Sequence, residues 1–262
     1  MALSIFEVCK AIKKEENVLL DRFGKEFIIL YPSAVARIIS KTINRTSKVA
    51  AGSAKVLYEV WCVLALMNLT RPQRVIDPIN FSENSGFWLK RRFRKYGVHW
   101  TRPNGTSVRD QIPVNVIWES EDSKVYSLAF QPSIGLTSLT PEQVAWFKSI
   151  VQGKVWNLGR YLSQSDVNLR PDIFLYKRHV ENVVDFRKKH LPEIDVIVNV
   201  ETKLGWTKDR ALVKKLEEYT EAFKPRDGAF VVSLHKELPN LEDKFKVIPA
   251  GLDRNKLKPI IQ

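Results

Sequence analysis

The sequence predicts an α/β fold: a mixed β-sheet flanked by helices, with an N-terminal extension and a β-rich insert. Three observations predict it. Lys55–Leu69 is apolar almost all round, the pattern of a buried helix. Residues 74–130 carry several short strand-like runs separated by turn signals. The C-terminal third alternates strand, helix and strand, the order of a right-handed crossover between parallel strands.

The elements follow in order. Residues 1–52 form an N-terminal region with a short helix near Ser4–Lys14, a strand at Phe27–Tyr31 and a helix-compatible stretch at Ser33–Ile43. The small residues Ala50–Ser53 read as a break before the buried helix. Residues 53–160 hold that helix, ended by Arg71-Pro72, and the β-rich insert with RVIDPI, FWLKRRF, VNVIWES and VYSLAF. Thr140-Pro141-Glu142-Gln143 starts a helix running to about Val151, because Thr caps, Pro suits the first turn and Gln closes a capping box. Residues 161–262 are the core that carries the chemistry. Pro171–Lys177 and Glu193–Lys203 read as strands, Val180–His190 stays ambiguous, and Thr207–Phe223 is a helix striped by Leu212, Leu216, Tyr219 and Phe223. Pro225 and Gly228 stop it, and strands follow at Gly228–His235 and Phe245–Ile248.

The chain of 262 residues is long enough for a sizeable core. It carries 42 Lys and Arg against 29 Asp and Glu, a net +13 that points to a polyanionic partner. The longest apolar run, Val60–Leu69, is too short to span a bilayer, and no basic amphipathic helix suggests a membrane surface. The N-terminal segment does not read as a signal peptide. Cys9 and Cys62 are far apart and fit neither a zinc site nor a disulfide framework, so a reducing, cytoplasmic setting is expected. No Gly-rich phosphate cradle is present, which leaves any ATP use to a partner chain, an ATPase or a modification enzyme.

The candidate site comes from strand alternation. In Val196–Lys203, Glu201 and Lys203 fall on one face at the end of an apolar strand. Asp172 stands at the entrance to another apolar strand, IFLY. Hydrolysis of a phosphodiester needs a cation to offset phosphate charge and acidify a water, and Mg²⁺ (or Mn²⁺) takes one or two carboxylates with waters and substrate oxygens. Asp172 and Glu201 supply the carboxylates, with the Thr202 backbone carbonyl next to them. Lys203 is a compact charge that can orient the water. Asp195 shares the strand face of Glu201 and is a rival ligand to Asp172.

Arg170-Pro171-Asp172, 28 residues, and then Glu201-Thr202-Lys203 resembles the PD-(D/E)XK nuclease superfamily. The resemblance covers roughly residues 53–70 and 165–235. It implies a restriction-endonuclease-like core, Mg²⁺-dependent cleavage of DNA, and a helix-borne Glu beside the metal. Glu59, in Tyr58-Glu59-Val60-Trp61, matches that position, and the same residues are similar to McrC-type nucleases. Lys215 stands where the RecB-like branch carries Gln. Double-strand cutting by one site per chain would favour a symmetric homodimer.

The segment Lys90–Tyr96 interleaves Lys90, Arg91, Arg92 and Arg94 with aromatics, either as a phosphate-tracking face or as an edge strand whose charges oppose aggregation. The four histidines have no metal-ligand or triad spacing and read as structural. Two rival functions stay open: a non-cleaving nucleic-acid-binding or assembly subunit of the same fold, and an RNase, for which Phe93 and Tyr96 would be stacking rings.

Overall fold

The computed structural model describes residues 5–23, 47–76, 111–114, 116–130, 140–150, 171–202, 210–235 and 245–262. It is a mixed α/β structure, an open sheet with helices on both faces. The strands are β1 (Pro72–Ile76), β2 (Gln111–Pro113), β3 (Val116–Ser120), β4 (Val125–Phe130), β5 (Ile173–Tyr176), β6 (Asn182–Asp185), β7 (Val196–Glu201), β8 (Gly228–Ser233) and β9 (Lys246–Ile248). The helices are α1 (Ile5–Phe23), α2 (Ser47–Leu69), α3 (Pro141–Ile150), α4 (Arg210–Phe223) and the short α5 (Lys258–Ile261). Seven strands form one sheet in the order β1-β3-β4-β5-β7-β8-β9, and β2 pairs with β6 separately. The first five are antiparallel to their neighbours; β7, β8 and β9 run parallel. Strand β7 reaches its parallel neighbour β8 through α4, because two parallel strands cannot be joined by a tight turn.

Alternation along β7 sorts its side chains into two cores. Val196, Val198 and Val200 join Leu57, Trp61 and Leu64 of α2 and Val8 and Ile12 of α1. Ile197 joins Phe174, Val231 and the stripe of Leu216, Tyr219 and Phe223 on α4. Strands covered on both faces are apolar almost throughout, as VIVNVE and IFLY are. The Thr140 box forms as its sequence requires: the Gln143 N–H donates to Thr140 Oγ1 at 3.2 Å, and the Thr140 N–H donates to Gln143 Oε1 at 2.9 Å.

Three expectations change. Helix α1 runs to Phe23, well past Lys14. The expected break at Ala50–Ser53 is absent: α2 begins at Ser47 and runs straight through it. Alanine is the best helix former, and Ala50, Ala51 and Ala54 outweigh the single Gly52. The ambiguous stretch Val180–His190 resolves into β6 and a turn closed by backbone bonds between Asp185 and His190. The expected elements at Phe27–Tyr31, Ser33–Ile43 and FWLKRRF lie outside the described residues. Among the described residues no helix is long and apolar enough to cross a membrane.

Helix α2 is pinned to the sheet by Tyr58, which is fully buried and stacks on Trp61. Its hydroxyl donates to the Ser233 carbonyl at 2.9 Å, at the end of β8. Burial, with Cys62 nearby, holds the Tyr58 phenol well above its ordinary value. The neutral phenol therefore favours the fold fully below about pH 10, the unfolded value, and that contribution is lost as pH rises through the higher folded value. Tyr58→Phe should cost about 1 kcal/mol at pH 7, the worth of one hydrogen bond, and lose less stability than wild type above about pH 10. Urea titrations at pH 7 and pH 10.5, roughly bracketing that window, check both effects.

Candidate active site

Register brings the expected carboxylates together. Strands β5 and β7 pair with Ile173 opposite Val198, so Asp172, one residue before β5, lies beside the C-terminal end of β7. Its Oδ2 accepts the Val200 N–H at 2.8 Å. Glu201 ends β7 opposite Ser233 of β8, and its Oε1 accepts the Thr202 N–H at 2.9 Å. Tyr58 holds α2 against this same end of β8, which delivers its sequence neighbour Glu59. Glu59 is 0% exposed, and Asp172 and Glu201 are each 7% exposed.

The residue that joins them is Lys55, one helical turn before Glu59. Its ammonium lies 3.3 Å from Asp172 Oδ2 and 3.9 Å from Glu59 Oε1. Burial works against the charged ammonium, but Asp172, Glu59 and Glu201 together hold its pKa above the ordinary lysine value. Three carboxylates thus act on the Lys55 ammonium. Cys62 is fully buried near the same cluster; burial pushes its thiol well up, and the charges of Glu59 and Asp172 push it further. Sequence reasoning missed Lys55. The signal was the i, i+4 spacing to Glu59, which puts both side chains on one helix face.

Thr202 is placed at the site's edge, where its carbonyl accepts a 2.7 Å hydrogen bond from His235 Nε2. A carbonyl only accepts, so that ring nitrogen carries the proton, and one carbonyl lone pair is left over. Lys203 lies outside the described residues, as do Lys90, Arg91, Arg92 and Arg94. An exposed basic run that was not singled out from the sequence is Arg187-Lys188-Lys189-His190. Asp185 Oδ1 fixes this turn by accepting the N–H groups of Arg187 and Lys188.

Asp195 belongs elsewhere. It precedes β7, whereas Glu201 ends it, so the two stand roughly 20 Å apart at 3.3 Å per residue. Its carboxylate accepts from Arg178 at 2.8 and 2.9 Å, from Arg226 at 2.9 Å and from the Lys177 N–H at 2.7 Å. It is therefore no rival to Asp172 as a ligand in this cluster.

Among the described residues no three His, Cys, Asp or Glu side chains are arranged to hold a metal ion by themselves. A hard divalent cation does not need three: Mg²⁺ usually takes one or two carboxylates and completes its shell with water and substrate oxygens. The oxygen donors of Asp172 and Glu201, already gathered around a positive charge, fit that demand. Glu59→Gln removes one of three like charges from the cluster. It should leave the melting temperature in EDTA unchanged or raised. Thermal melts in EDTA test this; a clear loss of stability would make Glu59 a structural partner of Lys55. Comparison with family models, with curated proteins and with solved structures gave no match.

Proposed function

We propose that the protein is a metal-dependent endonuclease that hydrolyses DNA phosphodiester bonds, with a restriction-endonuclease-like core made of α2, β4, β5, β7, α4 and β8. The observation that carries this reading is the gathering of Asp172, Glu201 and Glu59 at one end of the sheet, close to the Lys55 ammonium. Buried carboxylates are costly unless they are paired with cations or hold a metal, and an α/β sheet typically places its ligand sites at strand ends.

In this reading Asp172 and Glu201 hold Mg²⁺ or Mn²⁺, with the Thr202 carbonyl beside them. The ion supplies a Lewis acid and an acidified water when bound. The rest falls to the chain. The Val200 N–H fixes the rotamer of Asp172. Glu59 orients water at the floor of the site, and Lys203 positions the attacking water and offsets developing negative charge. The net charge of +13 and the exposed turn at residues 187–190 suit a phosphate backbone. Lys90, Arg91, Arg92 and Arg94 are proposed to track the same backbone.

Incubation with supercoiled plasmid, linear duplex, single-stranded DNA and RNA, each with Mg²⁺, Mn²⁺ or EDTA, tests the proposal. Cleavage of DNA that EDTA stops is the expected result. Cleavage of RNA alone would make the enzyme an RNase. Binding without cleavage in every metal would leave a nucleic-acid-binding subunit.

A further inference from the structure

The chemistry attributed to the carboxylate cluster makes no use of Lys55, yet its ammonium pairs with two of the carboxylates. Its ammonium is within 3.3 Å of Asp172 and 3.9 Å of Glu59. The three carboxylates are almost wholly buried, whereas the Lys55 side chain is 36% exposed. Lys55 is thus the most exposed of these four side chains, and its ammonium sits beside the Asp172 carboxylate that a cation would also need. Helix α2 fixes its backbone one turn from Glu59, and a four-carbon stem lets the ammonium move while the backbone stays in place.

We propose that Lys55 is a resident counter-cation of the Asp172–Glu59–Glu201 cluster, and that a divalent cation must displace it in order to bind. This rests on the metal-site reading of the same carboxylates. Two opposed consequences follow. Without metal, the ammonium offsets repulsion among three carboxylates and stabilises the fold. With metal, the same ammonium is a like charge beside the incoming ion and weakens its binding. A lysine of purely structural value would give the first consequence without the second. A lysine that contacts only substrate would give neither.

The test uses the full chain and Mn²⁺ alone, with no nucleic acid. Binding is read by titration calorimetry or by the loss of the free-ion electron paramagnetic resonance signal, and stability by thermal melts in EDTA and in Mn²⁺. Lys55→Met and Lys55→Gln should each bind Mn²⁺ about tenfold more tightly than wild type, since a like charge within a few ångströms has gone. Both should melt lower than wild type in EDTA and gain more from Mn²⁺. Lys55→Arg keeps the charge and should stay close to wild type in both readouts. If a neutral variant does not fold in EDTA, folding induced by Mn²⁺ carries the same test, and failure of Mn²⁺ to restore it overturns the proposal. Neutral variants that bind Mn²⁺ as wild type does, or more weakly, overturn the proposal and leave the metal site standing. Binding by the neutral variants but not by wild type supports it. Absence of binding in all of them overturns both the proposal and the metal site.

Discussion

On the proposed endonuclease reading, Asp172→Asn and Glu201→Gln should each lower Mg²⁺-dependent DNA cleavage on the order of a thousandfold, the scale seen when a preorganised electrostatic group is removed from an active site. The choice of amide rather than alanine matters. Asp172 Oδ2 accepts the buried Val200 N–H, and alanine would orphan that donor at a cost of about 1–3 kcal/mol. The asparagine oxygen still accepts it, so the fold survives and the loss reads out chemistry. Both amide variants should bind Mn²⁺ weakly, because a neutral amide is a poor substitute for a carboxylate on a hard cation. Lys203→Ala should lose cleavage without losing metal affinity, because an ammonium donates hydrogen bonds and offers no lone pair. Single-turnover cleavage and Mn²⁺ titration of the same preparations separate the two effects. Wild-type rates in Asp172→Asn and Glu201→Gln, or full activity in EDTA, would end the metal-dependent reading of this site.

The parts legible in the sequence were those with local chemical cause. The Thr140–Gln143 box reports its own geometry, since donor and acceptor are three residues apart. Runs such as IFLY and VIVNVE announce strands covered on both faces. The meeting of Asp172 with Glu201 was legible only as an expectation, because register between two strands is set by pairing and not by either strand alone. Strand β6 stayed ambiguous because its partner β2 lies some seventy positions earlier in the chain, and its four residues carry too short a pattern to decide. Lys55 was passed over because a lysine at the start of an apolar helix reads as a solvated end. Its spacing to Glu59 was visible, but its distance to Asp172 depends on how α2 crosses the sheet.

Asp195 shows where alternation misleads, and it carries the largest expected stability effect. Parity puts it on the strand face of Glu201 but does not say which end of the strand it occupies. At its own end it is fully buried and neutralised by Arg178 and Arg226, and it also accepts the Lys177 N–H. Removing one member of a buried ion pair costs about 3–5 kcal/mol when the partner is left uncompensated in the interior. Here both guanidinium groups are partly exposed and can turn back to water, so the ionic share is smaller. The orphaned Lys177 N–H adds about 1–3 kcal/mol. Asp195→Ala should therefore destabilise the protein by about 3 kcal/mol, lowering the melting temperature by about 6–12 °C for a chain of this size. Asp195→Asn keeps one acceptor oxygen and turns the other into a donor, so it can hold the Lys177 N–H or the guanidinium groups but not both, and it should also destabilise the protein. Cleavage per folded molecule and Mn²⁺ affinity should match wild type in both variants, because the Asp172–Glu201 cluster is at the far end of β7. Urea unfolding and Mn²⁺ titration of Asp195→Ala decide the matter. A stable variant that no longer binds Mn²⁺ would put Asp195 back among the ligands, whereas an unstable one that still binds it fixes Asp195 as the clamp holding the two arginines to the base of the sheet.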